Sequence, residues 1–145
     1  HRMSKHIVLV AGHDADSRLS VARVIAAENN WGILDIDSLT AELRGATPLV
    51  RVSALMDVVH DQAEAGVPGV VVSAPLTCEL RDSDWLDDTA YDFDILGYDT
   101  TVVYVLVDDE EDPGLDPEHF VIDAHEDIDD VMTAATLHAI EIRNS

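Results

Sequence analysis

Apolar residues along this chain alternate between short unbroken runs and longer stretches with apolar positions three and four residues apart. The runs are His6–Ala11 (HIVLVA), Gly32–Ile36 (GILDI), Gly69–Ala74 (GVVVSA), Thr101–Val107 (TVVYVLV) and the short His119–Asp123 (HFVID). Rich in β-branched residues and mostly bounded by Gly or Pro, they predict buried strands. Between the first two, Ser17–Asn29 reads as a helix with Leu, Val and Ile on more than one face, as in a helix sandwiched between layers. Asp37 or Ser38 then caps a short helix running to about Leu43.

Thr47-Pro48 is a helix-start signal, with Thr as N-cap and Pro at the first helical position. The helix it opens sets Val52, Leu55, Met56, Val59 and Ala63 on one face and ends at Gly66 and Pro68. An acidic helix over Ser83–Leu96 stops at Gly97. The last helix places Ile128, Val131, Met132, Ala135 and Ala139 on one side, with Glu126, Asp127, Asp129 and Asp130 in its first turns, where acid complements the helix dipole.

Nearly all-apolar strands separated by helices predict a parallel sheet covered on both faces, a three-layer α/β sandwich. No internal repeat or linker interrupts the pattern, and 145 residues suit one domain, from Ser4 to Ile142. Residues 1–3 and 143–145 read as tails outside that domain. A single cysteine, Cys78, cannot form an intrachain disulfide and is expected to be buried. With no membrane-length apolar run and no signal-like start, the expectation is a cytoplasmic protein.

Charge narrows the partners. Thirty acidic residues against eight Lys and Arg give a net charge of −22. Such a chain is expected to avoid nucleic acid and anionic membrane surfaces, whose phosphates are met by Lys and Arg. From Glu79 onward only Arg81 and Arg143 are basic. This acid serves either as a solvated surface or as a face for a basic protein partner.

In an open parallel sheet ligands gather at the carboxyl ends of the strands, so the first strand-to-helix turn is the place to look. It reads Gly12-His13-Asp14-Ala15-Asp16-Ser17-Arg18-Leu19-Ser20. Against the phosphate-binding pattern G-x-x-x-x-G-K-[ST], Gly12 matches, while Ser17, Arg18 and Leu19 stand where Gly, Lys and Ser/Thr belong. Arg18 keeps a charge but not the compact ammonium, and Leu19 cannot hold magnesium. Ser20 carries a hydroxyl about 100° further round the helix, and Ser17 puts a side chain where the loop calls for positive φ. Asp14 and Asp16 either occupy the anion site at the helix N-terminus themselves, or Asp16 caps the helix.

Two further segments, Ile33-Leu34-Asp35-Ile36-Asp37-Ser38 and Val71-Val72-Ser73-Ala74-Pro75-Leu76-Thr77, together with Asp84-Trp85, follow in order. With them the chain, from Ile7 to about Ile140, resembles P-loop NTPases of the nucleoside, shikimate and chloramphenicol kinase type, and in particular a group of bacterial P-loop ATPases. The resemblance implies a five-stranded parallel sheet in the order 2-3-1-4-5. It also implies nucleotide contacts by residues 12 to 20, with ATP and Mg²⁺ as cofactors only if the chain is an active kinase. Asp35 and Asp37 match the aspartates after strand two, and Asp37, at the strand's carboxyl end, is the candidate base unless it is a helix cap. Thr77, Glu79 and Arg81 sit where a substrate would be touched, or are ordinary loop residues. The arginine-bearing lid expected after strand four is missing: Asp108–Glu118 is acidic and holds no arginine.

No metal signature emerges from the seven histidines; Asp123 with His119 and His125 suggests a carboxylate–imidazole pair at most. Two readings of function follow. One is a degenerate kinase-like domain that has lost efficient phosphotransfer and acts through a protein partner, its own copy or a small ligand. The other is an atypical ATP-dependent small-molecule kinase with Arg18 in place of lysine and Asp37 as base.

Overall fold

A computed structural model describes residues 4–107, 110–125 and 127–145. Five strands, β1 (Lys5–Ala11), β2 (Gly32–Asp35), β3 (Gly69–Ser73), β4 (Tyr98–Leu106) and β5 (Phe120–Asp123), pair in parallel in the order β2-β3-β1-β4-β5. The predicted architecture and strand order both hold. The helices are α1 (Ala15–Asn29), α2 (Ile36–Leu39), α3 (Pro48–Glu64), α4 (Ser83–Ile95) and α5 (Ile128–Arg143), with 3-10 turns at Ala41–Leu43 and Glu79–Arg81.

Alternating side chains of the central strands feed two cores. Ile7, Leu9, Val70, Val72 and Val102 meet Val52, Leu55, Val59 and Ala63 of α3 and Phe93 of α4. On the opposite face Val8, Val10, Val71, Val103 and Ile122 meet Val21 and Ile25 of α1 and Val131, Ala135 and Ala139 of α5. The period-2 geometry of a strand divides the residues this way, and coverage on both faces is why the runs are continuously apolar. Among the described residues no helix is long and apolar enough to cross a membrane.

Several boundaries differ from the sequence expectation, each for a local reason. Helix α1 starts at Ala15 instead of Ser17, because Asp14, not Asp16, is its N-cap. Strand β2 ends at Asp35, whose carboxylate caps α2 in place of Asp37 or Ser38, and the short helix breaks into a 3-10 turn before Leu43. Strand β4 begins three residues early: Tyr98, Asp99 and Thr100 pair with Lys5, His6 and Ile7, so register on β1 carries polar residues into the sheet. Thr47 and Pro48 open α3 as predicted. Ile128, at the first position of α5, is 60% exposed and stands outside the apolar face. Asp127 caps α5, while Glu126, expected in its first turn, lies outside the described residues, as do Asp108 and Asp109 of the acidic loop. Arg143 is no tail: it closes α5 and donates to Glu28 O (3.3 Å) and Asn29 Oδ1 (3.2 Å). Cys78 is exposed, contrary to expectation.

His6 on β1 is fully buried, its ring against Trp31 with centroids 5.3 Å apart, and its Nδ1 has no hydrogen-bond partner. Burial holds its pKa below the ordinary value, with Asp99 opposing. The folded protein therefore resists protonation of His6 more than the unfolded chain, which takes up a proton below pH ~6.5. That contribution to stability is present above pH ~6.5 and declines as the pH falls. His119, also lowered mainly by burial, adds in the same direction. A His6→Phe variant is expected to lose less of its urea midpoint between pH 7.5 and 5.5 than the parent (about two units around the His value). Equal losses would clear His6 of the effect.

Candidate functional site

The carboxyl ends of β1, β2 and β3 converge on one buried side chain, Arg18 of α1. It lies one turn into the helix and only 1% of its surface is exposed. Its Nε donates to Ser73 Oγ at the end of β3 (3.0 Å) and its Nη1 to Gly12 O at the end of β1 (2.9 Å). Nη2 lies 3.7 Å from Asp37 Oδ2 in α2. Burial draws the guanidinium below its ordinary pKa, and Asp37, Asp35 and Asp14 pull it back; an arginine stays charged under such opposing forces.

Asp37, whose side chain is 56% exposed, is shared with a second arginine. Arg51 of α3 reaches its Oδ1 at 3.1 Å and places Nε on Thr40 Oγ1 (2.9 Å). Arg18, Asp37 and Arg51 thus form a charged row along the sheet edge, with Asp35 beside it capping α2 through Ser38 N (3.4 Å) and Ser38 Oγ (3.2 Å).

The turn above Arg18 is short, and three of its backbone donors are already occupied. Gly12 N–H donates to Pro75 O (3.0 Å) and His13 N–H to Glu110 Oε1 from the β4–β5 loop (3.1 Å). Ser17 gives both its N–H (3.0 Å) and its hydroxyl (2.5 Å) to Asp14 Oδ2, and these bonds hold Asp14 below the usual carboxylate range. Ser17 is helical, not left-handed. The residue that needs positive φ is Gly12, at +134°, where a Cβ would lie 2.4 Å from Val105 O. Ala15, Asp16, Leu19 and Ser20 belong to the first turns of α1. Glu110 also lies beside Tyr104, whose hydroxyl is pushed up by burial first and by that carboxylate second.

The remaining candidates separate. Thr77 is half-buried in the turn after β3, which runs through Leu76 at φ +53°. Glu79 faces a cleft of about 330 Å³ between α3 and α4, whereas exposed Arg81 borders the β4–β5 loop at Pro113 and Asp116. Asp123 and His125 do meet, through His125 Nδ1 and the carboxylate, which is held below its usual range. Sequence reasoning missed Arg51, Ser73 and Glu110. The one signal on offer was the scarcity of cations, which makes any arginine that could reach the sheet edge a candidate.

A chain with this strand order, a β1–α1 turn at the sheet's carboxyl edge and a following aspartate has relatives by shape. A gluconokinase from Sinorhizobium meliloti 1021 superposes with a TM-score of 0.70 at 14% identity, over 99% of this chain and 96% of that one. The chain has a P-loop kinase-like fold. A second structure, described as a "putative kinase" from Chloroflexus aurantiacus j-10-fl, matches with a TM-score of 0.64 at 12% identity, over 98% of this chain and 100% of that one. No family model and no curated protein matches the sequence. At these identities the kinase-like fold is what is shared.

The residues of the turn do not fit the nucleotide that such a fold implies. Wrapping a phosphate takes free backbone N–H groups and a nearby cation. Here the N–H groups of Gly12, His13 and Ser17 are engaged by the chain's own oxygens, two of them carboxylate, and Arg18 is turned inward. Leu19 offers no oxygen where the magnesium-binding hydroxyl would stand.

Proposed function

We propose that this chain is a kinase-like domain in which ATP-dependent phosphotransfer is impaired or lost, and that it works by binding. One observation carries the reading: the β1–α1 turn is closed from both sides by carboxylates, Asp14 on Ser17 N–H and Glu110 on His13 N–H. A phosphate arriving there must displace two charge-assisted bonds, which are roughly twice as strong as neutral ones. It must also approach like charge, at about 4 kcal/mol per pair at 4 Å and an effective dielectric near 20. No arginine lies between Arg81 and Arg143, which adds to the same deficit of positive charge.

Calorimetric titration of magnesium-ATP, with ADP formation followed in parallel, tests this. The expected result is no saturable heat up to ~1 mM, a ceiling of about 4 kcal/mol, and no ADP above background. Saturation below that concentration with acceptor-dependent ADP would overturn it.

The second reading, an atypical kinase with Arg18 as the phosphate cation and Asp37 as base, draws on Asp37 being exposed at the sheet edge between two guanidinium groups. It requires that ADP formation disappear in Asp37→Asn. The gluconokinase's name suggests a sugar acid, but the α3–α4 cleft of this chain is lined by carboxylates, so an anionic acceptor is not carried over.

A further inference from the structure

We propose that the cleft between α3 and α4 is a binding site for a small organic cation with an apolar body, an arylalkyl amine or guanidine. This names a ligand class for the binding role above, but it needs neither ATP nor magnesium. The cleft, about 330 Å³, lies within the range of small-molecule sites. Its apolar side includes Trp85 and Phe93, the latter fully buried in the core beneath α4. Its polar side brings Asp57 from α3, Glu79 from the 3-10 turn and Asp92 from α4, three carboxylates from three elements. No lysine or arginine is among its described lining residues. His60, also on the wall, has its Nδ1 on Glu64 Oε1, one turn along α3 (2.8 Å), and its ring 6.2 Å from Phe93.

Each part of this lining favours the same chemistry. An aromatic face attracts a cation, and most strongly when it is a tryptophan. Three carboxylates with no lysine or arginine among the described lining residues leave a negative field that a ligand's positive charge relieves, and that repels an anion. The apolar wall selects against a bare metal ion, which would keep its water, and for a cation carrying a hydrocarbon body. Charge at −22 makes the whole surface attractive to cations. In this cleft that charge is joined by concavity and a tryptophan.

The test uses the whole protein without nucleotide, reading the Trp85 indole N–H signal by NMR, assigned with Trp85→Phe. The probe is phenethylamine, set against the neutral 2-phenylethanol and the anionic 3-phenylpropanoate. Phenethylamine is expected to saturate the Trp85 shift with a Kd of a few mM or tighter, roughly five-fold or more below that of the alcohol. The propanoate should give no saturation. Glu79→Gln/Asp92→Asn should weaken the amine about five-fold, while Asp130→Asn, on the opposite face of the sheet, leaves it unchanged. Equal binding of alcohol and amine, tighter binding of the propanoate, equal loss in Asp130→Asn, or no amine saturation by ~20 mM would each overturn the proposal. Because nucleotide is absent throughout, failure here leaves the ATP titration to decide the first reading by itself.

Discussion

A Gly12→Ala variant is expected to lose about 4 kcal/mol of stability, a large part of the ~5–15 kcal/mol that holds a domain of this kind together. Two costs add. The backbone at Gly12 has φ +134°, which an L side chain adopts at a penalty of ~1–3 kcal/mol. The new Cβ would also stand 2.4 Å from the carbonyl oxygen of Val105. That atom belongs to the β4 backbone, where Val105 pairs with Ile122 of β5, and forcing it aside costs a further ~1–3 kcal/mol. For a chain of this length each kcal/mol lowers the melting temperature by roughly 2–4 °C, so a drop of about 10 °C in a circular dichroism melt is the expected reading. Gly45→Ala, where an added Cβ meets nothing within 4 Å, should stay within about 0.5 kcal/mol of the parent. Indistinguishable melts for the two variants would mean that the β1–α1 turn is not shaped as described. Gly12 is thus explained by the packing of β1 against β4, and its presence says nothing about phosphate.

What the sequence made legible follows the same division between local and non-local causes. Runs such as Ile7–Val10 and Val70–Val72 are buried on both faces because their strands are central, and continuity of apolar residues reports that directly. Thr47-Pro48 marked the start of α3 because an N-cap and a proline act within one turn. The start of α1 was hidden by the motif comparison: stretching residues 12–19 over a phosphate-binding pattern treats Asp14 to Ser17 as loop. Aspartate followed three residues later by serine is an ordinary capping arrangement, and the structure uses it so. The site itself was half readable. Arg18 and Asp37 could be named, but Ser73, Arg51 and Glu110 come from β3, α3 and the β4–β5 loop, and only the folded sheet edge brings them to that turn.

Arg18→Ala is expected to cost about 3 kcal/mol, and the partition of that loss decides what Arg18 is for. Removing the guanidinium strands Gly12 O and Ser73 Oγ in a buried site, at ~1–3 kcal/mol for each unsatisfied group, and opens a void. Against this stands relief from burying a charge, which is why the total is set below the plain sum. The Asp37 contact contributes little: the carboxylate is 56% exposed, sits 3.7 Å away and keeps Arg51, and such a pair is worth ~0–1 kcal/mol. Double-mutant cycles measured by urea unfolding should therefore give a larger coupling for Arg18 with Ser73 (Ser73→Ala) than for Arg18 with Asp37 (Asp37→Ala). Arg18→Lys restores the lysine of the phosphate-binding pattern, yet a single ammonium on an unbranched stem cannot span Ser73 Oγ and Gly12 O together as the planar fork does. It is expected to be destabilised by about 2 kcal/mol and to gain no response to magnesium-ATP, because the N–H groups above it stay with Asp14 and Glu110. The reverse outcome, dominant coupling to Asp37 with nucleotide binding gained in Arg18→Lys, would place Arg18 at an anion site and turn the choice toward the kinase.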